Sequence, residues 1–324
     1  MSIVQSNNLT KGNYRRPTAG EFSYCRVIIF IGCLLIVSCR PTKNYLEKDF
    51  PVHQSLTKYT PLNHPDSLLS IVSFNIEYGE NIDKALEEIH GLPIKDLDVL
   101  LLQEMDEKGT AQIADELKFN YIFFPISFHR KYKRNFGNAV LSKWPLSQPR
   151  KSILPHDRPF NKMKRGATNA VINYGDIKIL IYSVHLEIPL MSLSKRIEQL
   201  NYILNDINKN DTLNHIILGG DFNSMFKNEV REVVTHCENQ HFTWHTKGIG
   251  YTSNKFNVLR PTLDHIFSRG FRHVDSGKLE EYAASRDALQ CVSAAAMRLC
   301  GNASLRQCVS TLVRFYNLYF FQIF

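Results

Sequence analysis

The chain has 324 residues, 44% of them apolar and 22% charged, with a formal net charge of +8. This composition excludes a disordered or collagen-like chain and leaves room for one large core or two small ones. The positive balance favours a polyanionic partner such as nucleic acid, a phosphorylated small molecule or anionic lipid, or does no more than keep the surface soluble.

At the N-terminus, Lys11, Arg15, Arg16 and Arg26 precede the apolar run "VIIFIGCLLIV", residues 27–37. Eleven residues are too few to span a bilayer comfortably, and the run fits the core of a signal peptide. It leads into "IVSC", which resembles the lipobox of bacterial lipoproteins. The expectation is a signal peptide over 1–39, acylation at Cys39, and a membrane-anchored protein of the bacterial cell envelope. A plain signal peptide or a signal anchor is the alternative. Residues 40–67 read as a tether. The seven cysteines include no CxxC pair and no zinc-like spacing, which argues against a cysteine metal site.

From residue 68 the elements alternate. "LLSIVSFNI" and "LDVLLLQE" predict strands, and "NIDKALEEIHGL" between them predicts an amphipathic helix. "TAQIADELKF" is a second helix. "YIFFPI", "GNAVLSKWPL", "ATNAVINY" and "IKILIYSVHLE" are strands. "SLSKRIEQLNYILNDI" is a long helix, and "HIILGGDFNS" and "PTLDHIF" are strands again. Several strands are apolar on both faces, which predicts packed sheets with helices outside. After Ser285 lysine disappears, and residues 286–324 read as an atypical apolar tail.

Hydrophobic strands repeatedly end in a polar group: Asn75 with Glu77 beyond it, Glu104, His185, Asp221 with Asn223, and Asp264. Groups at strand ends sit on rigid elements around one crevice. Acid, amide and histidine without cysteine suit a hard cation such as Mg2+ or Mn2+. The paired glycines of "IILGGDFNS" would let backbone pass closely and expose the tip. "HRKYKRNFGN", with Arg134 and Asn138, and "RPFNKMKRG", with Arg165, interleave cations and aromatics. That pattern tracks a phosphate backbone and stacks bases, or is a pair of solvated loops.

The order "FNI" at 74–76, "LLLQE" at 100–104, "GNAVLS" at 137–142, "RGA" at 165–167, "VHLE" at 184–187, "GGDFN" at 219–223 and "LDHIF" at 263–267 resembles the endonuclease/exonuclease/phosphatase family. The resemblance covers residues 68–285. It implies an α+β fold, a four-layer αββα sandwich of two packed mixed sheets with outer helices. It also implies a monomeric, Mg2+- or Mn2+-dependent phosphodiester hydrolase. By the resemblance Glu104 binds the metal with Asn75 and, further out, Glu77. His185, Asp221, Asn223 and Asp264 are catalytic, and Asn75, Asn138, Arg165 and Arg134 meet the substrate. The expected substrate is nucleic acid, cleaved with low sequence specificity. A phosphatase or phospholipase C-like enzyme on phosphoinositide or sphingomyelin head groups, or an inactive remnant, is the alternative.

The family's terminal Ser-Asp-His is not reproduced. Ser285 and Asp287 are followed by Ala288, and no histidine follows His273. A missing general acid–base group costs about 10²–10⁴-fold in rate. The final strand is expected to be lost or altered.

Overall fold

The computed structural model describes residues 42–61, 65, 67–92, 96–210, 213–253, 261–278 and 292–299. The leader with Cys39, residues 285–288 and residues 300–324 lie outside the described residues. The described strands are β1 (His53–Ser55), β2 (Leu68–Asn75), β3 (Val99–Met105), β4 (Asn120–His129), β5 (Arg134–Ser142), β6 (Leu146–Ile153), β7 (Gly166–Tyr174), β8 (Ile177–His185), β9 (His215–Asp221), β10 (Thr243–Trp244), β11 (Asp264–Arg269), β12 (Phe271–Lys278) and β13 (Val292–Leu299). The helices are α1 (Ile82–His90), α2 (Glu107–Leu117), α3 (Leu193–Asn210) and α4 (Lys227–Glu238).

The strands form a seven-stranded sheet, β1-β4-β5-β3-β2-β13-β12, and a six-stranded sheet, β10-β11-β9-β8-β7-β6. Each is mixed, with one parallel pair bridged by a helix: β2 and β3 by α1, and β8 and β9 by α3. Period-2 alternation assigns the layers. Leu69 and Ile71 of β2, Leu101 of β3, Ile179 and Ile181 of β8, Ile217 of β9 and Ile266 of β11 meet in one buried cluster between the sheets. The alternate residues Val72, Phe74, Leu100 and Leu102 pack with Ala85, Ile89, Ile113 and Ala114 of α1 and α2. Leu180, Tyr182, Ile216 and Leu218 pack with Leu200, Ile203, Leu204, Val233 and Cys237 of α3 and α4. Three apolar layers between four rows of elements make the expected αββα sandwich.

Two segments differ from the sequence reading. Residues 42–61, expected as part of a tether, lie along the domain. β1 pairs with β4, the Tyr45 amide donates to the Ile126 carbonyl, and Tyr59 exchanges hydrogen bonds with Asn120. Lys151 secures the same segment: its buried ammonium donates to the carbonyls of Tyr45 and Phe50, each at 3.0 Å. Prolines and polar residues look like a linker, but backbone bonds to a sheet edge do not depend on side-chain polarity. The second segment is β13, from the region expected to lose or replace the last strand. It lies between β2 and β12, antiparallel to both, and puts Ala295 and Met297 into the inter-sheet core. The sequence pattern does not mark helix α4 or strands β1, β6, β10, β12 and β13, which are short or of weak periodicity.

The glycines of "LGGD" divide the work. A Cβ on Gly219 would meet the Leu101 Cδ1 at 2.7 Å, whereas one on Gly220, at φ +147°, would meet the Val184 carbonyl oxygen at 2.0 Å. Gly220→Ala should therefore cost on the order of 3 kcal/mol or more, since neither backbone can yield. Gly219→Ala should cost roughly 1–3 kcal/mol, since a leucine tip can move. Urea unfolding of the two variants checks the order; equal losses would contradict it.

Candidate active site

Alternation carries the inter-sheet rows from apolar to polar as they approach one end of the strands. Leu69, Ile71, Ser73 and Asn75 form one such row, and Ile179, Ile181, Ser183 and His185 another. Just beneath the tip a polar layer ties the sheets together. Gln103 donates to Ser183 Oγ at 3.1 Å, and Ser183 Oγ donates to the Leu102 carbonyl at 3.0 Å. Asn138 donates to the carbonyls of Gly166 and Ser183 at 2.8 and 3.2 Å. Asn138 therefore acts as a bolt between sheets below the crevice rather than as its wall.

Above that layer the predicted residues converge. Asn75 Nδ2 donates to Asp221 Oδ2 at 3.0 Å, joining the tip of one sheet to the tip of the other. His185 Nε2 lies 3.6 Å from Asp221 Oδ2 and 3.8 Å from Glu104 Oε1. The Asn223 amide nitrogen donates to Asp221 Oδ1 at 2.8 Å, and its side chain donates to the Leu186 carbonyl at 2.9 Å. In register, Gly166 faces His185, His185 faces Asp221, and Asp221 faces Asp264. Asp264 Oδ2 accepts from Thr252 Oγ1 at 2.9 Å. The Glu77 amide donates to Asn75 Oδ1 at 3.1 Å, so Glu77 joins the group through its backbone.

Glu104 needs a device of its own. Strict alternation would send it to the helix-facing side with Leu100 and Leu102. A register shift between Leu102 and Met105 and a left-handed φ of 59° at Glu104 reset the strand. Met105 takes the helix-facing place and the carboxylate reaches the tip.

Arg165 fixes the protonation of His185. Its Nη1 lies 3.1 Å from His185 Nδ1, and a guanidinium only donates, so Nδ1 accepts and the ring proton is on Nε2, facing the carboxylates. Burial first, then the charges of Arg165 and Arg158, push the His185 pKa well below its ordinary value, so the ring is neutral. Burial also raises the two carboxylic acids. Asp221 is pushed up to about 6, against hydrogen bonds from Asn223 and Asn75; Glu104 is raised by burial and by the Asp221 charge.

Arg134 is not brought to this group. It donates to the carbonyls of Tyr78 and Gly79 at 3.3 and 2.7 Å and pairs with Asp106 at 3.4 Å. It braces the turn Glu77–Gly79, which lies beside an aromatic wall. There Tyr78 stacks on Tyr132 with centroids 4.2 Å apart, and His129 and Phe136 pack alongside. Four residues around the crevice are not singled out by the sequence pattern: Glu187, Arg158, Arg196 and Glu229. Glu187 is buried and accepts from Arg158 Nε and Nη2 at 2.8 and 2.7 Å and from Arg165 Nε at 3.4 Å. The glutamate of "HLE" and the first arginine of "RPFNKMKRG" were the available signals. Arg196 and Glu229 form a buried pair behind the loop, where Arg196 Nη1 donates to the Asn223 carbonyl at 2.7 Å.

His265 turns away from Asp264, as neighbours on a strand must. It lies 2.7 Å from Ser224 Oγ and packs edge-on against Phe222 and Trp244.

The donor chemistry fits a hard divalent cation. Among the described residues neither Glu104 nor Asp221 has an arginine or lysine at ion-pair distance, and no three His, Cys, Asp or Glu side chains are grouped so as to hold a metal ion by themselves. The Glu104 carboxylate and the Asn75 amide oxygen, with the Asp221 carboxylate beside them, are hard oxygen donors of the kind Mg2+ or Mn2+ accepts.

A helix-flanked double sheet with an acid–amide–histidine crevice at its strand tips defines the architecture. The chain belongs to the Endonuclease/Exonuclease/phosphatase family, whose profile matches residues 72–293. Members are generally hydrolytic phosphoesterases and typically depend on a divalent metal. The fold is shared with an endonuclease/exonuclease/phosphatase from Bacteroides vulgatus, at TM-score 0.59 and 15% identity over 72% of this chain and 100% of that one. It is shared with the human Nocturnin catalytic domain with bound sulfate anion, at TM-score 0.56 and 16% identity over 76% and 97%. It is shared also with D. rerio TDP2 complexed with single strand DNA product, at TM-score 0.55 and 17% identity over 72% and 100%. No curated protein matches the sequence.

The buried histidines set an acid limit on stability. Burial lowers the His265 pKa to about 3, against about 6.5 in an unfolded chain. Between those values the unfolded chain binds the extra proton, so stability falls as pH drops from about 6.5 towards 3, by up to about 1.4 kcal/mol per pH unit for this group. His265→Gln should flatten that dependence in urea unfolding between pH 7 and 5. An unchanged slope would show that His265 does not contribute.

Proposed function

We propose that this chain is a divalent-metal-dependent phosphodiester hydrolase acting on nucleic acid with low sequence specificity, anchored on the cell envelope through Cys39. The observation that carries the reading is the meeting of Asn75, Glu104, His185 and Asp221 within 4 Å contacts at one crevice. Glu104 and Asn75 would hold the ion, which would supply charge neutralisation at the phosphoryl group and the leaving oxygen.

The protein's own groups do the rest. Asp221, with its pKa raised towards neutrality, suits a base that takes a proton from the attacking water. His185 offers its Nε2–H to a phosphoryl or leaving oxygen. As a neutral ring it donates without cancelling the negative charge of the neighbouring carboxylates. Arg165 holds the ring in that tautomer. The wall of Tyr78, Tyr132, His129 and Phe136, with Lys131 over Tyr132 at 4.8 Å, supports a nucleic-acid substrate because flat faces beside cations accept bases of any sequence. A fold neighbour complexed with single strand DNA product supports the same substrate class.

Exposed Phe160, Leu190 and Phe226, on loops leaving the same end of the six-stranded sheet, favour a second reading: a lipid head group as substrate.

With Mg2+ or Mn2+, the protein should hydrolyse single-stranded DNA faster than it releases phosphocholine from sphingomyelin; the reverse order selects the lipid reading. Glu104→Gln and Asp221→Asn should each lower kcat by about 10²-fold or more. No turnover of any diester by the wild type, with calorimetric metal binding that Glu104→Ala abolishes, would mark an inactive remnant and overturn the hydrolase reading.

Anchoring predicts that radiolabelled palmitate is incorporated in bacterial cells and that Cys39→Ser abolishes the label. Label that persists in the variant would refute acylation at that cysteine.

A further inference from the structure

Beside the carboxylate crevice stands a charge cluster that the hydrolytic steps do not use in full. Arg158 and Arg165 both pair with Glu187 Oε1, at 2.7 and 3.4 Å. Arg165 also feels the charges of Glu104 and Asp221, so Glu187 is the one carboxylate that pairs with Arg158 among the described residues. The pairing is also lopsided. Arg158 spends Nε and Nη2 on a single oxygen, and its Nη1 donates to no group among the described residues. Glu187 and Arg165 are buried, whereas the Arg158 side chain keeps 15% of its surface open to solvent. Its position is set: Glu187 follows His185 on the same strand exit, and the Arg158 amide donates to the Met163 carbonyl at 2.9 Å, closing its loop. The charge of Arg158 is felt at Glu104 and His185 on one side and at Tyr78 and His129 of the aromatic wall on the other.

A guanidinium held by two of its nitrogens, with Nη1 unpaired among the described residues, suits phosphate, since its remaining N–H donors match phosphate oxygens. We propose that Arg158 forms a second phosphate subsite beside the scissile position, so that the site prefers substrates carrying another phosphate next to the one cleaved. This rests on the phosphodiester reading and narrows it. The aromatic wall would take the intervening base, and Arg158 the phosphate that follows.

The test has a binding arm that is independent of turnover. Calorimetry in Ca2+ should show thymidine 3′,5′-bisphosphate binding about 10-fold or more tighter than thymidine 5′-monophosphate, since a hydrogen bond to a charged group contributes about 1.5–3 kcal/mol. Arg158→Ala should erase that preference, and Arg158→Lys, which keeps the charge but not the fork, should restore part of it. In the activity arm, a dinucleotide with a terminal phosphate should be cleaved with higher kcat/KM than the same dinucleotide without it, and Arg158→Ala should collapse the ratio through KM. Equal affinity of the wild type for the two thymidine nucleotides would overturn the subsite, whatever the enzyme turns over. Equal loss on both substrates in Arg158→Ala would overturn it too, since Arg158 would then act only through Glu187 and His185. Absence of turnover with the bisphosphate preference intact would count against the hydrolase reading alone.

Discussion

The structure turns on two carboxylates, Glu104 and Asp221, held in a buried crevice where opposite sheets meet. Among the described residues neither has an arginine or lysine at ion-pair distance, and burial raises the pKa of both despite the charge of Arg165. Such an arrangement costs stability unless something positive enters, so it is the mark of a binding site rather than of a core. What keeps the acids in place is the bond from Asn75 across to Asp221 and the layer of Gln103, Ser183 and Asn138 below. Those bonds are local, but they hold only because the apolar cluster beneath presses the two sheets together.

From that constraint the roles of the surrounding cations follow. Arg165 is placed behind His185, where it fixes the tautomer and keeps the ring neutral. Burial alone disfavours ionisation of Glu187, but Arg165, Arg158 and hydrogen bonds outweigh it and hold the carboxyl below its usual pKa. The histidine is thus governed by a carboxylate it does not touch. The Arg196–Glu229 pair does a parallel service for the loop of Asn223, whose left-handed φ of 51° needs its carbonyl anchored.

Much of this was legible from residues. In β2, β8 and β9 the site residue is the last inward member of an alternating row, and in the antiparallel β11 it is the first, so reading period 2 to the strand tips finds Asn75, His185, Asp221 and Asp264. The same logic sends His265 to the far face, where Ser224 and Phe222 receive it. Arg134 and Asn138 were found in the right stretches but given the wrong neighbours, because a guanidinium or amide at a strand edge reads alike whether it meets substrate, a turn or the opposite sheet. Residues 42–61 read as a linker because their bonds to the domain are largely backbone bonds, which leave no pattern in side-chain type.

Periodicity along the chain marks most strands and three of the four described helices, packed sheets with helices outside, and the polar groups that end the inward rows. These follow from periodicity, which is local and written in consecutive residues. That Glu104 reaches the tip through a bulge, that β13 is drawn between β2 and β12, and that Arg158 and Arg165 share Glu187 is settled by the folded chain. Each depends on which strands become neighbours and in what register, and contacts between distant segments are set by packing that no single stretch of residues encodes.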